Sequence, residues 1–187
     1  MDLIDRHVGQ NIRILAQVIS EVCQHHTLEE ASAGSLSTNQ LKILKIADHR
    51  SDCTVADIAR LLHISSAAAS KNIERLVQMD MVFRQRLPDD RRRFHLELRP
   101  AGRALLGRYD EISAGKLAKL MDHFEPAEKA ILLDLLRRVI RFTLADEQDA
   151  EMVCLQCAGR CGDDCVLTDS QGSCQALKEV GDHVQPS

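Results

Sequence analysis

The chain has 187 residues, 44% of them hydrophobic and only 3% aromatic, with a formal net charge of −4. Its longest apolar run, Ala130 to Ala145, is interrupted by Asp134, Arg137, Arg138 and Arg141, which excludes a membrane span there. Met1 to Gln10 carries Asp2, Asp5 and Arg6 and lacks the apolar stretch of an export signal, so a soluble cytoplasmic protein with no membrane partner is expected.

The net charge hides a strong asymmetry. From Lys71 to Arg108 there are ten Lys or Arg against five Asp or Glu, the local cationic footprint that nucleic acid requires. From Leu144 to Ser187 there are two basic residues against nine acidic, so the tail cancels the basic region in the average. Cysteine is equally uneven: Cys23 and Cys53 stand alone, whereas Cys154, Cys157, Cys161, Cys165 and Cys174 crowd into the tail.

Leu3 to about Ala31 reads as one long helix, because Ile4, Val8, Ile12, Leu15, Val18, Ile19 and Val22 recur every three or four residues. Ser37 with Gln40 three positions on is a capping box that opens a short helix carrying Leu41, Leu44 and Ala47, which ends at Arg50 to Cys53. Thr54 with Asp57 opens the next helix, Val55 to Leu62, with Ile58, Ala59 and Leu62 buried. After the tight connection His63-Ile64, Ser65 or Ser66 caps a helix to about Met79. It buries Ala69, Ile73, Leu76 and Val77 and leaves Ala67, Ser70, Lys71, Glu74 and Arg75 on a small polar face. Val82 to Leu87 and Phe94 to Leu98 alternate as two strands around the turn Pro88-Asp89-Asp90. Pro100 and Pro126 each suit the first position of a helix, predicting helices to about Phe124 and about Ala145. The second has more apolar surface than a lone helix keeps exposed. The residues from Gln175 onward are too polar and weakly periodic to assign.

The fold class is therefore mainly α with a small β-wing: a winged helix-turn-helix with N- and C-terminal dimerisation helices. The expected division is 1–34 N-terminal dimerisation helix, 35–99 DNA-binding unit, 100–146 C-terminal dimerisation helices and 147–187 cysteine-rich tail.

Helix, short turn, helix and basic hairpin is an order with a physical purpose. The second helix enters a major groove while the hairpin reaches the neighbouring minor groove. Ser65, Ser66 and Ser70 offer short hydroxyls to phosphates, Ala67 keeps the entering end slim, and Lys71 and Arg75 suit phosphate or guanine. At the hairpin tip Arg91, Arg92 and Arg93 follow Asp90, which braces an arginine while the others hold the backbone or enter the minor groove. The plainer alternative, a merely solvated charged face, is disfavoured by this order of elements.

From Leu3 to Ala145 the sequence resembles the MarR family of bacterial regulators. The likeness lies in Thr54-Val55-Ala56-Asp57-Ile58-Ala59, in Ile64-Ser65 through Ile73-Glu74-Arg75-Leu76, and above all in Pro88-Asp89-Asp90-Arg91-Arg92 running to Leu98 and Gly102. The resemblance implies a homodimer joined through the first and last two helices, binding pseudo-palindromic double-stranded DNA and released by a small ligand or oxidant. It places the family's wing signature on Asp90 and Arg92. Arg99, where the family commonly has Thr, and Asn72, where it is commonly apolar, depart from the pattern.

The tail is outside the resemblance. Cys154, Cys157, Cys161, Cys165 and Cys174 follow at spacings of three, four, four and nine. In a reducing compartment such thiolates take zinc or an iron–sulfur cluster. A structural zinc site more often shows two separated CxxC pairs, whereas this run has one, which favours a 4Fe-4S cluster with zinc as the alternative. Gly159, Gly162 and Gly172 supply turns, against the competing picture of one continuous helix with the cysteines as packing residues. Thiol–disulfide switching is a further alternative.

His25, His26, His49 and His123 are weaker metal candidates, and Cys23 reads as a packing residue. No nucleophile–base pairing, phosphate loop or HExxH is present, so no enzyme is expected. The leading reading is a dimeric repressor whose operator binding is modulated by a cysteine-ligated cluster or metal that senses redox state, oxygen or iron and shifts the spacing of the recognition helices. The alternatives are a repressor answering a small aromatic or phenolic ligand with a structural zinc tail, and a protein-interaction or electron-transfer module.

Overall fold

The computed structural model describes residues 2–50, 52–86, 93–144, 147–157 and 165–167. The elements in chain order are α1 (Leu3–Gln17), a π-helical segment (Val18–Gln24), α2 (His25–Ser32), α3 (Thr38–His49), β1 (Asp52–Thr54), α4 (Val55–Leu62), α5 (Ser66–Gln78), β2 (Val82–Arg86), β3 (Arg93–Leu98), α6 (Pro100–Met121), α7 (Pro126–Thr143) and α8 (Glu147–Gln156).

The chain starts and stops its helices with local chemistry. Asp2 and Asp5 form a capping box on α1, Ser37 and Gln40 on α3, Thr54 and Asp57 on α4, and Glu125 and Glu128 on α7. Each box satisfies amide donors that the first helical turn leaves without a carbonyl partner. Pro100 and Pro126 occupy the first turns of α6 and α7, where the missing N–H costs nothing. The helix beginning at Leu3 runs as predicted to Ser32, but it is not uniformly α: Val18–Gln24 is wound as π, and the spacing of Val18 and Val22 by four residues does not distinguish the two windings. Ala33 in the left-handed region and Gly34 at φ 73° then end it.

The sheet has three antiparallel strands in the order β1-β3-β2. The expected hairpin pairs Val82 with Leu98 and Arg86 with Phe94. The additional strand β1, expected only as a helix terminator, pairs Cys53 with Phe94 on the other side of β3.

The core gathers around α3, whose Ile43, Leu44 and Ile46 are fully buried with Ile58 and Leu61 of α4, Ile73 and Leu76 of α5, Val82, Leu96 and Leu105. Burying each such side chain contributes about 1.5–3 kcal/mol of transfer free energy. Val77, expected on the buried face of α5, is 40% exposed: it stands at the rim of the stripe formed by Ala69, Ile73 and Leu76.

α2 packs on α6, where Lys116 Nζ meets Glu30 Oε2 at 2.9 Å and Arg108 Nε donates to the Ala31 carbonyl at 3.3 Å. By contrast, α1 and α7 bury no residue within the chain. Ile4, Val8, Ile12 and Leu15 line an apolar groove along α1 of about 530 Å³, and Ile131, Leu135, Leu136 and Val139 of α7 are also exposed. Among the described residues no helix is long and apolar enough to cross a membrane.

Candidate nucleic-acid interface

The helix-turn-helix is α4, His63-Ile64 and α5. Thr54 fixes its entry: the Thr54 N–H and hydroxyl both donate to Asp57 Oδ2 at 2.7 Å, and the Asp57 amide donates back to Thr54 Oγ1 at 3.0 Å. Burial works against the Asp57 charge, but those Thr54 hydrogen bonds, with the fields of Arg50 and Arg60, hold the carboxyl below its ordinary range. At the other end His63 takes the left-handed conformation, φ 52°, and its amide and that of Ile64 donate to Arg60 O and Ala59 O. This closes α4 and turns the chain into Ser65, which is the N-cap of α5, its Oγ accepting from the Ala68 amide at 3.2 Å.

α5 therefore buries Ala69, Ile73 and Leu76 and turns Ser66, Ala67, Lys71, Glu74 and Arg75 to solvent, with Ser70 half-buried. The expected small polar face is on the outside. Its slim end comes first, then Lys71 and Arg75 one turn apart, so a groove meets hydroxyls and amides before it meets cations. Ser70 Oγ donates to Glu74 Oε1 at 3.2 Å, tethering the one carboxylate on this face. Asn72 points elsewhere: its Nδ2 donates to the Ala68 carbonyl at 2.9 Å on a half-buried flank.

Arg93 opens β3, while Asp90, Arg91 and Arg92 lie outside the described residues, as do Pro88 and Asp89. The base of the hairpin is anchored by contacts that sequence reasoning did not assign. Arg99 Nε meets Asp80 Oδ1 at 3.0 Å, and the Arg99 amide donates to the Met81 carbonyl at 2.9 Å. A threonine at position 99 would be placed to cap α6; Arg99 makes no side-chain cap and instead ties the exit of the wing to the end of α5.

In the tail, Cys154 lies in the last turn of α8 and is buried, as are Ala150 and Leu155. Cys157 follows the helix and is exposed, its amide donating to Val153 O at 2.8 Å and Cys154 O at 3.1 Å. Cys165 is half-buried and outside any helix, so the continuous-helix picture fails by that point. Cys161 and Cys174 lie outside the described residues, as do the three tail glycines and everything from Gln175 onward. Among the described residues no three His, Cys, Asp or Glu side chains converge to hold a metal ion. Of the histidines singled out, His25 faces Glu29 at 3.6 Å, His123 Nδ1 meets the Lys119 carbonyl at 2.9 Å, and His49 Nε2 meets the Cys157 carbonyl at 3.3 Å.

The helix that carries the first tail cysteine packs on α3, within the DNA-binding unit. Beside it, Lys45 of α3 lies with its Nζ 4.6 Å from the Tyr109 ring centroid. Burial pulls the Lys45 ammonium below its ordinary range, Asp110 and Cys157 oppose that shift, and Lys42 adds to it.

Comparison with known proteins agrees with this architecture. The model of the MarR family matches residues 36–94, from the start of α3 into β3. The uncharacterized HTH-type transcriptional regulator YpoP of Bacillus subtilis is 25% identical over 126 residues, covering 67% of this chain and 88% of YpoP. Among solved structures, RV1404 from Mycobacterium tuberculosis superposes with a TM-score of 0.62 at 22% identity, covering 78% of this chain and 95% of that one. Streptococcus pneumoniae FabT, solved in complex with DNA, gives 0.61 at 16% identity, covering 74% and 96%. With its capped helix-turn-helix, outward polar face and β-hairpin, the chain carries over residues 36–94 a winged helix-turn-helix unit that matches the MarR family, and its fold is that of the solved structures it resembles.

Proposed function

We propose that this protein is a homodimeric repressor that binds a pseudo-palindromic double-stranded operator and is controlled by a cofactor held on its tail cysteines. The observation that carries the DNA-binding half is the outward face of α5, with Ser65, Ser66, Ala67 and Ser70 leading Lys71 and Arg75, followed by a hairpin whose sequence between the strands holds Asp90, Arg91 and Arg92, with Arg93 opening β3. FabT, a structural relative, is seen bound to DNA, which supports the same use of the fold here.

The dimeric half rests on α1 and α7, whose apolar stripes bury nothing within the chain. A second copy covers both, and two-fold symmetry places the two recognition helices on successive major grooves, about 34 Å apart.

Cys154, Cys157, Cys161 and Cys165, with Cys174 as the alternative fourth donor, would hold the cofactor. The chemistry of the donor set supports a 4Fe-4S cluster: five thiols lie close in sequence, Cys154 and Cys157 stand one turn apart at the end of α8, and Lys45 lies near Cys157. When bound, such a cluster supplies an anionic centre sensitive to oxygen and redox state. The chain's own part is to shelter Cys154 against α3 while leaving Cys157 open to solvent.

The experiment is oxygen-free purification followed by iron, sulfide and zinc analysis, beside selection of duplexes from a random-sequence library. The expected result is a two-fold-symmetric consensus and about four irons and four sulfides per chain. Protein that selects no duplex ends the repressor reading, and protein with zinc but no sulfide replaces the cluster.

A further inference from the structure

The tail joins the chain after α7, yet α8 does not lie along the dimerisation helices. It returns to the DNA-binding unit and packs on α3, beside the helix-turn-helix. Leu155 enters the same core cluster as Ile43, Ile58 and Ile73, Ala150 and Cys154 are buried beside it, and Met152 packs against that cluster half-buried. Two contacts fix where α8 sits. His49 Nε2, at the end of α3, meets the Cys157 carbonyl at 3.3 Å, and His63 Nε2, in the turn between α4 and α5, meets Met152 Sδ at 3.1 Å.

His63 is the important partner. It holds a left-handed backbone conformation without being glycine, which is uncommon and costs about 1 kcal/mol, and it is the residue that sets the direction in which α5 leaves α4. A side chain that braces this residue from the tail acts on the pose of the DNA-reading helix without touching DNA.

We infer that α8 is an intramolecular latch on the helix-turn-helix, whose seating by Leu155 and Met152 holds the recognition helix in its binding pose and is governed by the cysteines at its C-terminal end. Residues of opposite exposure make the coupling physical: Cys154 is part of the seat, whereas Cys157, one turn on, is open to whatever the tail binds. A ligand shared by the two would pin the end of α8 against α3, and its removal would leave the helix, among the described residues, to the packing of Ala150, Met152, Cys154 and Leu155 and the contact of His49 with the Cys157 carbonyl. The latched form is the DNA-binding form. The control by cysteine rests on the cofactor reading above; the latch itself does not.

Three full-length variants test it, using the duplex selected by the wild-type protein as probe and hydrogen exchange as structural readout. Leu155→Asp forces a carboxylate into an apolar seat and should unseat α8, speed exchange at the Leu62–Ser65 amides and weaken duplex binding about tenfold. Met152→Ala, which removes the contact to His63 and the half-buried packing of that side chain while leaving Leu155 in its seat, should do the same about threefold and covers the case in which Leu155→Asp does not fold. Cys157→Ala, at an exposed position, should lose the cofactor and speed exchange in α8. Faster exchange in α8 with wild-type exchange at Leu62–Ser65 and wild-type affinity overturns the latch. Cofactor loss in Cys157→Ala with unchanged exchange in α8 overturns its control by cysteine. Wild-type protein without iron, sulfide or zinc ends the cofactor reading separately, and the first two variants then decide the latch alone.

Discussion

Gly102 lies so close to Met81 that a Cβ built on it would stand 2.3 Å from the Met81 carbonyl oxygen and 3.2 Å from Leu98 Cδ2. The obstructing atom is backbone, and that carbonyl already accepts the Arg99 amide, so it cannot turn aside cheaply. Gly102→Ala is expected to destabilise the fold by about 1–3 kcal/mol by pushing α6 off the base of the wing. Urea unfolding of the variant reads this as a lower midpoint with an unchanged slope; a midpoint equal to the wild type would show that α6 can shift freely.

The cations and the small residues of the candidate interface are expected to separate by role. Lys71→Ala and Arg92→Ala are expected to weaken every duplex, each by about 1–3 kcal/mol, and to reduce the salt dependence by about one ion. Substitutions at Ala67 and Ser70 should change which duplex is preferred. Fluorescence anisotropy across a salt series measures both. Wild-type affinity in Arg92→Ala would remove the wing from the interface.

Asp57 makes the helix-turn-helix acid-sensitive. Its carboxyl is held below its ordinary value of 3.8, so its contribution to stability is complete above about pH 4 and is lost as pH falls through the folded-state value. Thr54→Val removes the side-chain hydrogen bond to Asp57, one of the contributions that only together outweigh burial, and leaves the backbone bond in place. It should lower stability near neutrality and flatten its fall at acid pH. Urea midpoints measured between about pH 6 and about pH 3 test this; parallel curves for the two proteins would discard Asp57 as the cause.

The unpartnered stripes of α1 and α7 predict the assembly. Ile12 and Leu136 are each more than two-fifths exposed within one chain. Ile12→Glu and Leu136→Glu are expected to shift the dimer toward monomer and, because half-sites are bound jointly, to lower operator affinity more than tenfold. Sedimentation velocity gives the assembly state directly. A dimer that survives both substitutions would place its interface elsewhere.

What could be read in the amino acids was local. Ser37 with Gln40 and Thr54 with Asp57 announce helix starts because both partners lie within one turn, and Ala69, Ile73 and Leu76 mark a buried face because helical spacing aligns them. What escaped depends on partners distant in the chain. Asp52–Thr54 is a strand only because β3 lies beside it, and the Arg99–Asp80 pair exists only because the wing brings its exit back to the end of α5. The seat of α8 is the extreme case: Met152 and His63 are separated by 89 positions, and nothing near either residue signals the other. The π-helical winding at Val18–Gln24 is hidden for a different reason, since a four-residue spacing such as Val18 to Val22 suits either winding.

The pairing of Cys53 with Phe94 also has a mechanical result. Because β1 runs directly into Thr54, the same three residues that edge the hairpin begin the helix-turn-helix, and the two DNA-facing parts of a protomer are joined by backbone on both sides. Wing and helix cannot be adjusted separately to suit a sequence. In the proposed dimer each protomer would offer the duplex both parts as one unit, so the base choice made at Ala67 and Ser70 would be joined by the distance at which the second copy presents its own pair.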